Sequence, residues 1–470
     1  MEYKIFGCKV NKYYTDEWLN SEYLKDKNGI FVASCVVTDN AKRKWLKFVK
    51  DIAKSETFTT PLTIPLNKGG LNAPKIYISG CGAFKSGEAQ QDFFEIYPEL
   101  EQLKGKIEIL GEKPEELKKD IINSKETTPS NSPLSRGELD QMKEKIKSIP
   151  QIYTKKFLLI QGGCDSFCTF CLTVKKRGKH YYRDKEDIVQ EILDFEKAGG
   201  KEVVLTGVNL SAWGLETTNP PNLPIKEWEH KVPSRFAELL RYILDNTNIP
   251  RIRISSMGPE FIDDKCLEIF KETRIYPHFH YSVQSGSSNI LKSMHRHYDG
   301  QYMRDLLTRT KNLKRNDGIE ISIGADLIVG FPGETEEDFL ETYNLVKDGL
   351  ITKIHAFPFS PHTTGESVPA GSYPNQLSDS IKKDRMWRLE EIGEHIRDEF
   401  IERNVGKEFE VLVEVVKNNT NHLSLSGEVK EEKTIWKGWT QNYIDVDNTN
   451  FEVISGNIKR NEIIRGKLIK

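Results

Sequence analysis

The chain has 470 residues, 37% of them hydrophobic, and a formal net charge of −2, a length that allows about three domains. It holds no apolar run of the roughly 18 residues that a membrane-spanning helix needs, and its N-terminus does not predict a signal peptide. Seven cysteines, an odd number, do not predict a disulfide framework, so the expected compartment is cytoplasmic. With so little net charge, contact with nucleic acid would depend on local basic patches.

Three widely spaced cysteines mark the first third of the chain. Cys8, Cys35 and Cys81 each follow a short apolar or extended run and precede turn-prone or polar residues. This pattern is typical of ligands at the carboxyl ends of strands in an open α/β sheet, where such folds place their sites. The alternative is that each is a buried core residue, which is the commoner fate of a lone cysteine.

Two other features of this third concern its surface. Residues 41–50 have the pattern of an amphipathic helix, whose polar face carries the basic residues Lys42, Arg43, Lys47 and Lys50. That face is either an ordinary solvated surface or an RNA-facing patch. Residues 56–74 and 127–137 are rich in Thr, Ser, Pro and Gly and predict loops or linkers, the second where two domains join.

A compact cysteine loop follows. Cys164, Cys168 and Cys171 fall within eight positions with the spacing C-x3-C-x2-C. Three thiolates are one short of a closed tetrahedral zinc site, but they suit a [4Fe–4S] cube whose fourth iron stays open for a small chelating ligand. Three buried structural cysteines are the alternative, which this spacing does not favour. Cys266 stands alone in a helical stretch and is expected to be a core residue.

The chain beyond this loop alternates between strands and helices. Asp184 and Asp187 mark the start of a helix that Gly199 and Gly200 end. Strands are predicted at 202–208, 252–256, 280–283 and 321–330, and helices at 288–294, 302–313 and 336–347. This alternation predicts an α/β fold of parallel β/α units, a whole or partial barrel, with the cysteine loop at the carboxyl end of its first strand.

The last part of the chain has a different pattern. From about Asn404 the sequence changes to short alternating strands with turns, at 409–416, 422–427, 443–446 and 463–469. Such a pattern predicts a small antiparallel β-barrel.

The cysteine loop and its setting resemble the radical S-adenosylmethionine superfamily. Three segments, Gly-Cys-Lys-Val-Asn at 7–11, Ser-Cys-Val-Val-Thr at 34–38 and Ser-Gly-Cys at 79–81, are similar to the cysteine motifs of its methylthiotransferase family. Segments that follow in that family's order are 205–209, 254–256, 283–287, 330–335 and 357–361. Residues 404–470, with Gly-Trp-Thr-Gln-Asn-Tyr at 438–443, resemble the TRAM domain, an RNA-binding barrel joined to this family.

The resemblance implies a domain layout. Residues 1–123 would form an open, Rossmann-like α/β domain and residues 124–150 a linker. Residues 151–400 would form the radical S-adenosylmethionine core, a partial (β/α) barrel, and residues 404–470 the TRAM barrel.

The resemblance also implies cofactors and their ligands. Two [4Fe–4S] clusters and S-adenosylmethionine are expected. An auxiliary cluster would be held by Cys8, Cys35 and Cys81, and the radical-generating cluster by Cys164, Cys168 and Cys171. The residues expected to contact S-adenosylmethionine are Thr206, Gly207, Asn209, Ser255 and Gln284. No catalytic residue is identified beyond the cluster cysteines.

The chain departs from the family pattern near several of these residues. Ala33 and Ser34 stand where the family usually has Asn-Thr, and Gly162 stands where it usually has an acidic residue. Leu-Thr-Val at 172–174 replaces a run of the Ile/Val-Pro type, and Lys175 replaces an aromatic or small residue. The loop is also unusually basic, with Lys175, Lys176, Arg177 and Lys179. These changes leave the cysteines untouched and concern how the loop fits its substrate.

The function implied is conversion of N6-threonylcarbamoyladenosine, next to the tRNA anticodon, to its 2-methylthio form. One S-adenosylmethionine would methylate a sulfur on the auxiliary cluster, and a second would give the radical that takes hydrogen from the adenine ring. Expected partners are tRNA and an electron donor such as flavodoxin or ferredoxin, with no membrane, and the chain is expected to be a monomer. The residues expected either to stack on RNA or to pack internally are Trp436, Trp439 and Tyr443.

Two groups of alternatives remain open. Within the family, the substrate would be isopentenyladenosine in tRNA or an aspartate of a ribosomal protein. Outside enzymes, the chain would be an iron–sulfur protein that binds RNA or transfers electrons.

Overall fold

The computed structural model describes residues 1–55, 74–114, 154–218, 235–363, 366–418 and 434–470. The predicted linker at 124–150, the segment at 127–137, nearly all of the loop at 56–74 and the predicted strand at 422–427 lie outside these residues.

The described residues form strands and helices with the following bounds. The strands are β1 (Glu2–Ile5), β2 (Gly29–Ser34), β3 (Lys75–Gly80), β4 (Phe84–Lys85), β5 (Glu88–Ala89), β6 (Ile107–Ile109), β7 (Lys156–Gly162), β8 (Tyr181–Tyr182), β9 (Glu202–Gly207), β10 (Arg251–Ile254), β11 (Ser256–Met257), β12 (His278–Gln284), β13 (Ser322–Val329), β14 (Lys353–Pro358), β15 (Glu408–Asn418), β16 (Thr434–Trp439), β17 (Asp445–Asp447), β18 (Phe451–Ser455) and β19 (Ile463–Leu468). The α-helices are α1 (Lys9–Leu19), α2 (Glu22–Lys25), α3 (Asp39–Ile52), α4 (Phe93–Ile96), α5 (Thr173–Arg177), α6 (Lys185–Lys197), α7 (Phe236–Asn246), α8 (Asp264–Ile269), α9 (Ser288–Ser293), α10 (Gly300–Lys311), α11 (Glu336–Lys347) and α12 (Asp379–Glu402).

The N-terminal part is a parallel sheet in the order β1-β2-β3-β6. Its strands are short apolar runs, and α3 packs Trp45 and Val49 against them in one hydrophobic cluster. The Thr38 side chain accepts a hydrogen bond from the Ala41 N–H and caps α3, as threonine does before a first turn. The prediction that Lys42 lies on the polar face of this helix is wrong. Lys42 is only 2% exposed, and its Nζ pairs with Asp39 at 3.5 Å.

The central part consists of two sheets that follow each other along the chain. The first has the order β10-β9-β7-β8 and the second β11-β12-β13-β14, and every neighbouring pair except β7–β8 is parallel. A single residue, Ser255, separates β10 from β11, so the second sheet continues where the first ends. The predicted α/β alternation is confirmed. Thr335 caps α11, because Thr335 and Asp338 exchange both hydrogen bonds of a capping box.

The C-terminal part is a curled antiparallel sheet in the order β17-β16-β15-β19-β18. The predictions at 409–416 and 463–469 are confirmed by β15 and β19, while Tyr443 lies in a turn before β17. Sequence patterns missed β16 and β18. β16 contains Gly438, a residue that weakens a strand signal, and β18 follows the turn-forming run Asp-Asn-Thr-Asn.

Each part has a hydrophobic cluster of its own, and the largest lies in the central sheets. Cys266 belongs to that central cluster and is fully buried, which confirms it as a core residue. Within the described residues, no helix combines the length and apolar character that crossing a membrane requires.

Candidate active site

A cavity of about 560 Å³ lies where the three parts meet. Its walls include residues just beyond the carboxyl ends of strands in both parallel regions, together with Tyr443 from the C-terminal part. Ligands of open α/β sheets bind at this edge. The predicted site residues that line the cavity are Cys8, Cys81, Cys171, Thr206, Gly207, Ser255 and Gln284.

The first cysteine set, made of Cys164, Cys168 and Cys171, lies on the loop after β7. The Thr173 N–H donates to Cys171 Sγ at 3.3 Å, and the Thr173 hydroxyl lies 3.0 Å from the same sulfur. Cys164 Sγ lies 3.6 Å from the Thr218 hydroxyl and 3.5 Å from the Ser166 N–H, which donates to it. Hydrogen-bond donors aimed at sulfur favour its thiolate form, which is the form that binds metal.

Arg296 contacts the third sulfur of this set. Its Nη1 donates to Cys168 Sγ at 3.2 Å, and its Nη2 pairs with Glu260 at 3.4 Å. Both charged side chains are buried, with 8% and 2% of their surface exposed. Sequence reasoning missed Arg296, because the 128 positions that separate it from Cys168 give no local pattern.

Gln161 joins the cysteine loop to the end of β9. Its Oε1 accepts from the N–H groups of Val208 and Asn209 at 2.9 and 2.8 Å. Its Nε2 donates to the carbonyls of Gly162 and Gly163, both at 2.8 Å. One fully buried amide therefore fixes the start of the loop against the residues that follow β9.

Asn209 lies behind this junction. Its Nδ2 lies 3.4 Å from Glu260 Oε1, the carboxylate that also pairs with Arg296. Its Oδ1 accepts from the Ser211 hydroxyl at 3.2 Å. The side chain is thus committed to protein contacts.

The second cysteine set, made of Cys8, Cys35 and Cys81, lies at the ends of three neighbouring strands, β1, β2 and β3. Cys8 precedes α1 directly, while Cys35 and Cys81 follow β2 and β3 by one residue. A side chain at Gly7, whose φ is +112°, would approach Cys35 Sγ to 3.1 Å, so glycine is needed for this close approach. Burial raises the pKa of the Cys35 thiol to about 12, with a further contribution from Cys81. The predicted convergence of this set is therefore visible in the structure.

Arg177 bridges the two sets. It is the last residue of α5, and its positive charge opposes the burial that raises the pKa of the Cys81 thiol. Its guanidinium also pairs with the buried Glu112 and donates to Asn11 Oδ1 at 2.9 Å. Asn11 in turn donates to the Ser34 carbonyl at 2.9 Å, beside Cys35. The helix that follows the cysteine loop is thereby attached to the strand ends that carry the second set.

The predicted basic character of this loop needs correction. Lys176 and Arg177 are buried, and Lys176 pairs with Glu366 at 2.9 Å. Their charges are neutralised inside the protein, so the basic residues left nearer to solvent are Lys175 and Lys179.

A polar wall, made of His280, Asp326, Lys353 and His355, lines another part of the cavity. Asp326 Oδ1 lies 3.1 Å from His280 Nε2 and 2.9 Å from His355 Nδ1. Burial alone would raise the pKa of Asp326, but the two imidazoles hold it well below its usual range. His280 and Asp326 were not identified as site residues, because they lie on β12 and β13 within runs that indicate only strands. Lys353 and His355 lie on β14, a strand that the sequence pattern did not predict.

A stack of three aromatic rings adjoins this wall. The Tyr443 ring lies 4.3 Å from that of His278, with 9° between their planes, and 4.4 Å from that of Trp439, with 19°. Tyr443 therefore stacks on two rings of the protein, and Trp436 is buried in the C-terminal core. Of the two predicted roles for these aromatic residues, internal packing is the one seen for Trp436 and for the stacked ring of Tyr443.

Comparison with known proteins gives matches over most of the chain. Residues 158–346 match the Radical SAM superfamily. A Thermotoga maritima protein named threonylcarbamoyladenosine tRNA methylthiotransferase MtaB is 30% identical over 87% of this chain and 86% of its own. Its Bacillus subtilis namesake is 32% identical over 66% of this chain and 63% of its own. A Rickettsia rickettsii tRNA-2-methylthio-N(6)-dimethylallyladenosine synthase is 28% identical over 83% and 82%.

Solved structures give weaker matches. The methyltransferase TsrM from Kitasatospora setae has a TM-score of 0.42 and 12% identity, covering 78% of this chain and 74% of its own. OxsB with aqua-cobalamin bound has a TM-score of 0.38 and 12% identity, covering 84% and 54%. The match to the Thermotoga protein, in contrast, extends through nearly the whole of both chains. The chain belongs to the radical S-adenosylmethionine methylthiotransferase family.

Proposed function

We propose that this chain is a tRNA methylthiotransferase that converts N6-threonylcarbamoyladenosine, next to the anticodon, to 2-methylthio-N6-threonylcarbamoyladenosine. The observation that carries the proposal is one cavity lined by cysteines of both sets, Cys8 and Cys81 from the N-terminal part and Cys171 from the central loop. A substrate bound there would reach both sets at once. The names of the Bacillus and Thermotoga relatives support the threonylcarbamoyl substrate.

In this proposal each cysteine set holds a [4Fe–4S] cluster. Cys164, Cys168 and Cys171 would hold the radical-generating cluster, and Cys8, Cys35 and Cys81 the auxiliary one. When bound, the clusters supply one-electron cleavage of S-adenosylmethionine and a site for the sulfur that is transferred. The donor set fits, because three thiols in each set leave one iron of a cube open.

The electrostatics of the sulfurs also fit. Without metal, burial raises the pKa of Cys171 to about 12, so iron must displace its proton when it binds. Thr173 at Cys171 and Arg296 at Cys168 donate hydrogen bonds that favour the charged sulfur.

The residues proposed for S-adenosylmethionine are Thr206, Gly207, Ser255 and Gln284, which line the cavity together with Cys171. Asn209 would support these residues indirectly, since its side-chain amide hydrogen-bonds to Glu260 and Ser211. Gln161 would keep the loop and the end of β9 in a fixed relation. The chain's own contribution is thus to orient the bound groups within the cavity.

The polar wall favours threonylcarbamoyladenosine over isopentenyladenosine. An isopentenyl group is apolar, and burying it against Lys353 would leave the ammonium group without water or an anionic partner, which is costly. A threonylcarbamoyl group offers a carboxylate, a hydroxyl and a ureido group to the same wall.

Residues 1–123 are proposed to be the N-terminal domain of the methylthiotransferase family, and residues 151–400 the radical S-adenosylmethionine core. The C-terminal part is proposed to be a TRAM domain that contacts tRNA. Three exposed basic residues of the C-terminal part lie near the end of the sequence, Lys459, Arg460 and Arg465. One-electron reduction would come from a donor such as flavodoxin or ferredoxin.

The substrate is tested by mass spectrometry of tRNA nucleosides from a strain that lacks the gene. Loss of 2-methylthio-N6-threonylcarbamoyladenosine, restored by the gene, is expected. Unchanged levels of this nucleoside would overturn the proposal, and loss of the 2-methylthio isopentenyl nucleoside instead would identify the other tRNA substrate. Anaerobically reconstituted protein is expected to contain about eight irons per chain and to form 5′-deoxyadenosine with dithionite and S-adenosylmethionine.

A further inference from the structure

The polar wall contains a lysine with an unusual environment. Lys353 begins β14, and its Nζ lies 4.4 Å from the centre of the Tyr443 ring and 4.9 Å from that of Trp439. The ammonium group forms no salt bridge with any residue that the structure describes. A half-buried cation held only by aromatic rings lacks the anionic partner that such a charge normally has.

A second lysine faces the same cavity. Lys9 begins α1 and lines the cavity with Lys353. Like Lys353, it makes no salt bridge to a carboxylate in the described part of the chain. Both lysines also act on His278. Burial is the main cause that lowers the pKa of the His278 imidazole well below its usual range, and the charges of His280, Lys9 and Lys353 lower it further.

The one carboxylate of the wall is already engaged. Asp326 Oδ1 contacts the rings of both His280 and His355, so it does not neutralise the ammonium groups by direct contact. Together, the wall and Lys9 therefore bring two ammonium groups and one carboxylate to the cavity, an excess of positive charge.

The wall contains side chains of the types that bind metal ions, because ligand atoms of His280, Asp326 and His355 lie within 4.8 Å of one another. The neighbouring lysines argue against a metal ion. Two ammonium groups repel a divalent cation in a cavity of low dielectric constant, whereas they attract an anion.

We propose that Lys353, assisted by Lys9, binds the carboxylate of the threonylcarbamoyl group, which makes Lys353 a specificity-determining residue. The inference rests on the proposed function, because an isopentenyl group has no charge. Charge-assisted hydrogen bonds of ammonium to carboxylate are short and strong, and a site built for them rejects a neutral analogue because its own polar groups are then left unpaired. The stack of His278, Tyr443 and Trp439 holds the lysine at the wall.

The test compares two anticodon stem–loop RNAs, one with threonylcarbamoyladenosine and one with its carboxamide analogue, in which the carboxylate is a neutral amide. Reconstituted wild-type protein is expected to have a kcat/KM for the acid about tenfold or more above that for the amide. Lys353→Met is expected to lower kcat/KM for the acid by about tenfold or more and to change that for the amide less than about twofold. Lys353→Arg, which keeps the charge, should retain most of the discrimination.

Lys383→Met is the matched control, because Lys383 is an exposed residue of α12 away from the cavity lining, and it should leave both values unchanged. Iron content and 5′-deoxyadenosine formation without RNA should equal wild type in Lys353→Met, which shows that the variant is folded. Equal losses on the two RNAs, or a wild type that does not distinguish them, would overturn the inference. A wild type inactive on the acid would overturn the proposed function itself.

Discussion

Arg253 donates from its Nη2 to the carbonyl of Thr440 at 2.8 Å, which links strand β10 of the central sheet to the turn that carries Tyr443. Its neighbour Arg251 donates to the carbonyls of Trp439 and Glu410 at 3.3 and 3.4 Å. Glu202 holds both guanidinium groups, at 2.7 Å from Arg251 and 2.9 Å from Arg253. The aromatic stack at the cavity is therefore placed by a buried charge network, with Glu202 at its centre.

Replacing Glu202 by Gln is expected to lower the free energy of unfolding by about 3 kcal/mol, because two buried guanidinium groups lose their counter-charge. Chemical denaturation with linear extrapolation measures this change. The matched control is Glu186→Gln, an exposed residue of α6 that lies 3.8 Å from Lys185 and should cost less than about 1 kcal/mol. A loss no larger than the control's would show that the network does not stabilise the fold.

The same carboxylate predicts a pH dependence. Burial alone would raise the pKa of Glu202, but Arg253 and Arg251 lower it from its ordinary value of 4.5 to about 2. A folded-state pKa below the unfolded one gives stability that is fully present above the unfolded value and is lost as the pH falls toward the folded value.

The difference in unfolding free energy between wild type and Glu202→Gln should therefore be constant from about pH 7 to 5 and shrink steadily below about pH 5. Denaturation series at several pH values measure it. A difference that stayed constant down to about pH 3 would contradict the role assigned to the two arginines.

Much of the fold could be predicted from sequence, because its signals are local. The central α/β alternation follows from strand and helix periodicity, and the helix at 336–347 was predicted with the bounds that α11 has. The two cysteine sets were also recognisable, since cysteines at strand ends and in a tight loop are rare enough to be informative.

The rest of the site depends on contacts between distant residues. Arg296 meets Cys168 across 128 positions, and Arg177 meets Asn11 across 166. Lys353 gave no signal either, because its environment is made by aromatic rings from the C-terminal part of the chain. Periodicity carries no information about such pairings.

The contact of Arg296 with Cys168 predicts an effect on the midpoint potential of the proposed radical-generating cluster. Its positive charge and its hydrogen bond to Cys168 Sγ would favour the reduced, more negative cluster. Arg296→Met is expected to lower the midpoint potential by about 60 to 130 mV, the one-electron equivalent of a charged hydrogen bond. Redox titration followed by electron paramagnetic resonance measures this shift.

The control for that experiment is Arg304→Met, an exposed residue of α10 whose partner is Asp348 at 2.7 Å. It should leave the potential within the error of the titration. A potential in Arg296→Met that equals the control's, with iron content unchanged, would show that the arginine only holds Glu260 in place.

The two cysteine sets should be separable by single substitutions. Cys81→Ala removes one proposed ligand of the auxiliary cluster, so the iron content should fall from about eight to about four per chain. This variant should still form 5′-deoxyadenosine but should not methylthiolate RNA, because the sulfur-carrying site is lost. Cys168→Ala should show the converse, with about four irons and no 5′-deoxyadenosine. Cys266→Ala, in the central core, should keep about eight irons. If Cys81→Ala retained all its iron, or if it alone abolished 5′-deoxyadenosine formation, the assignment of two separate clusters would be wrong.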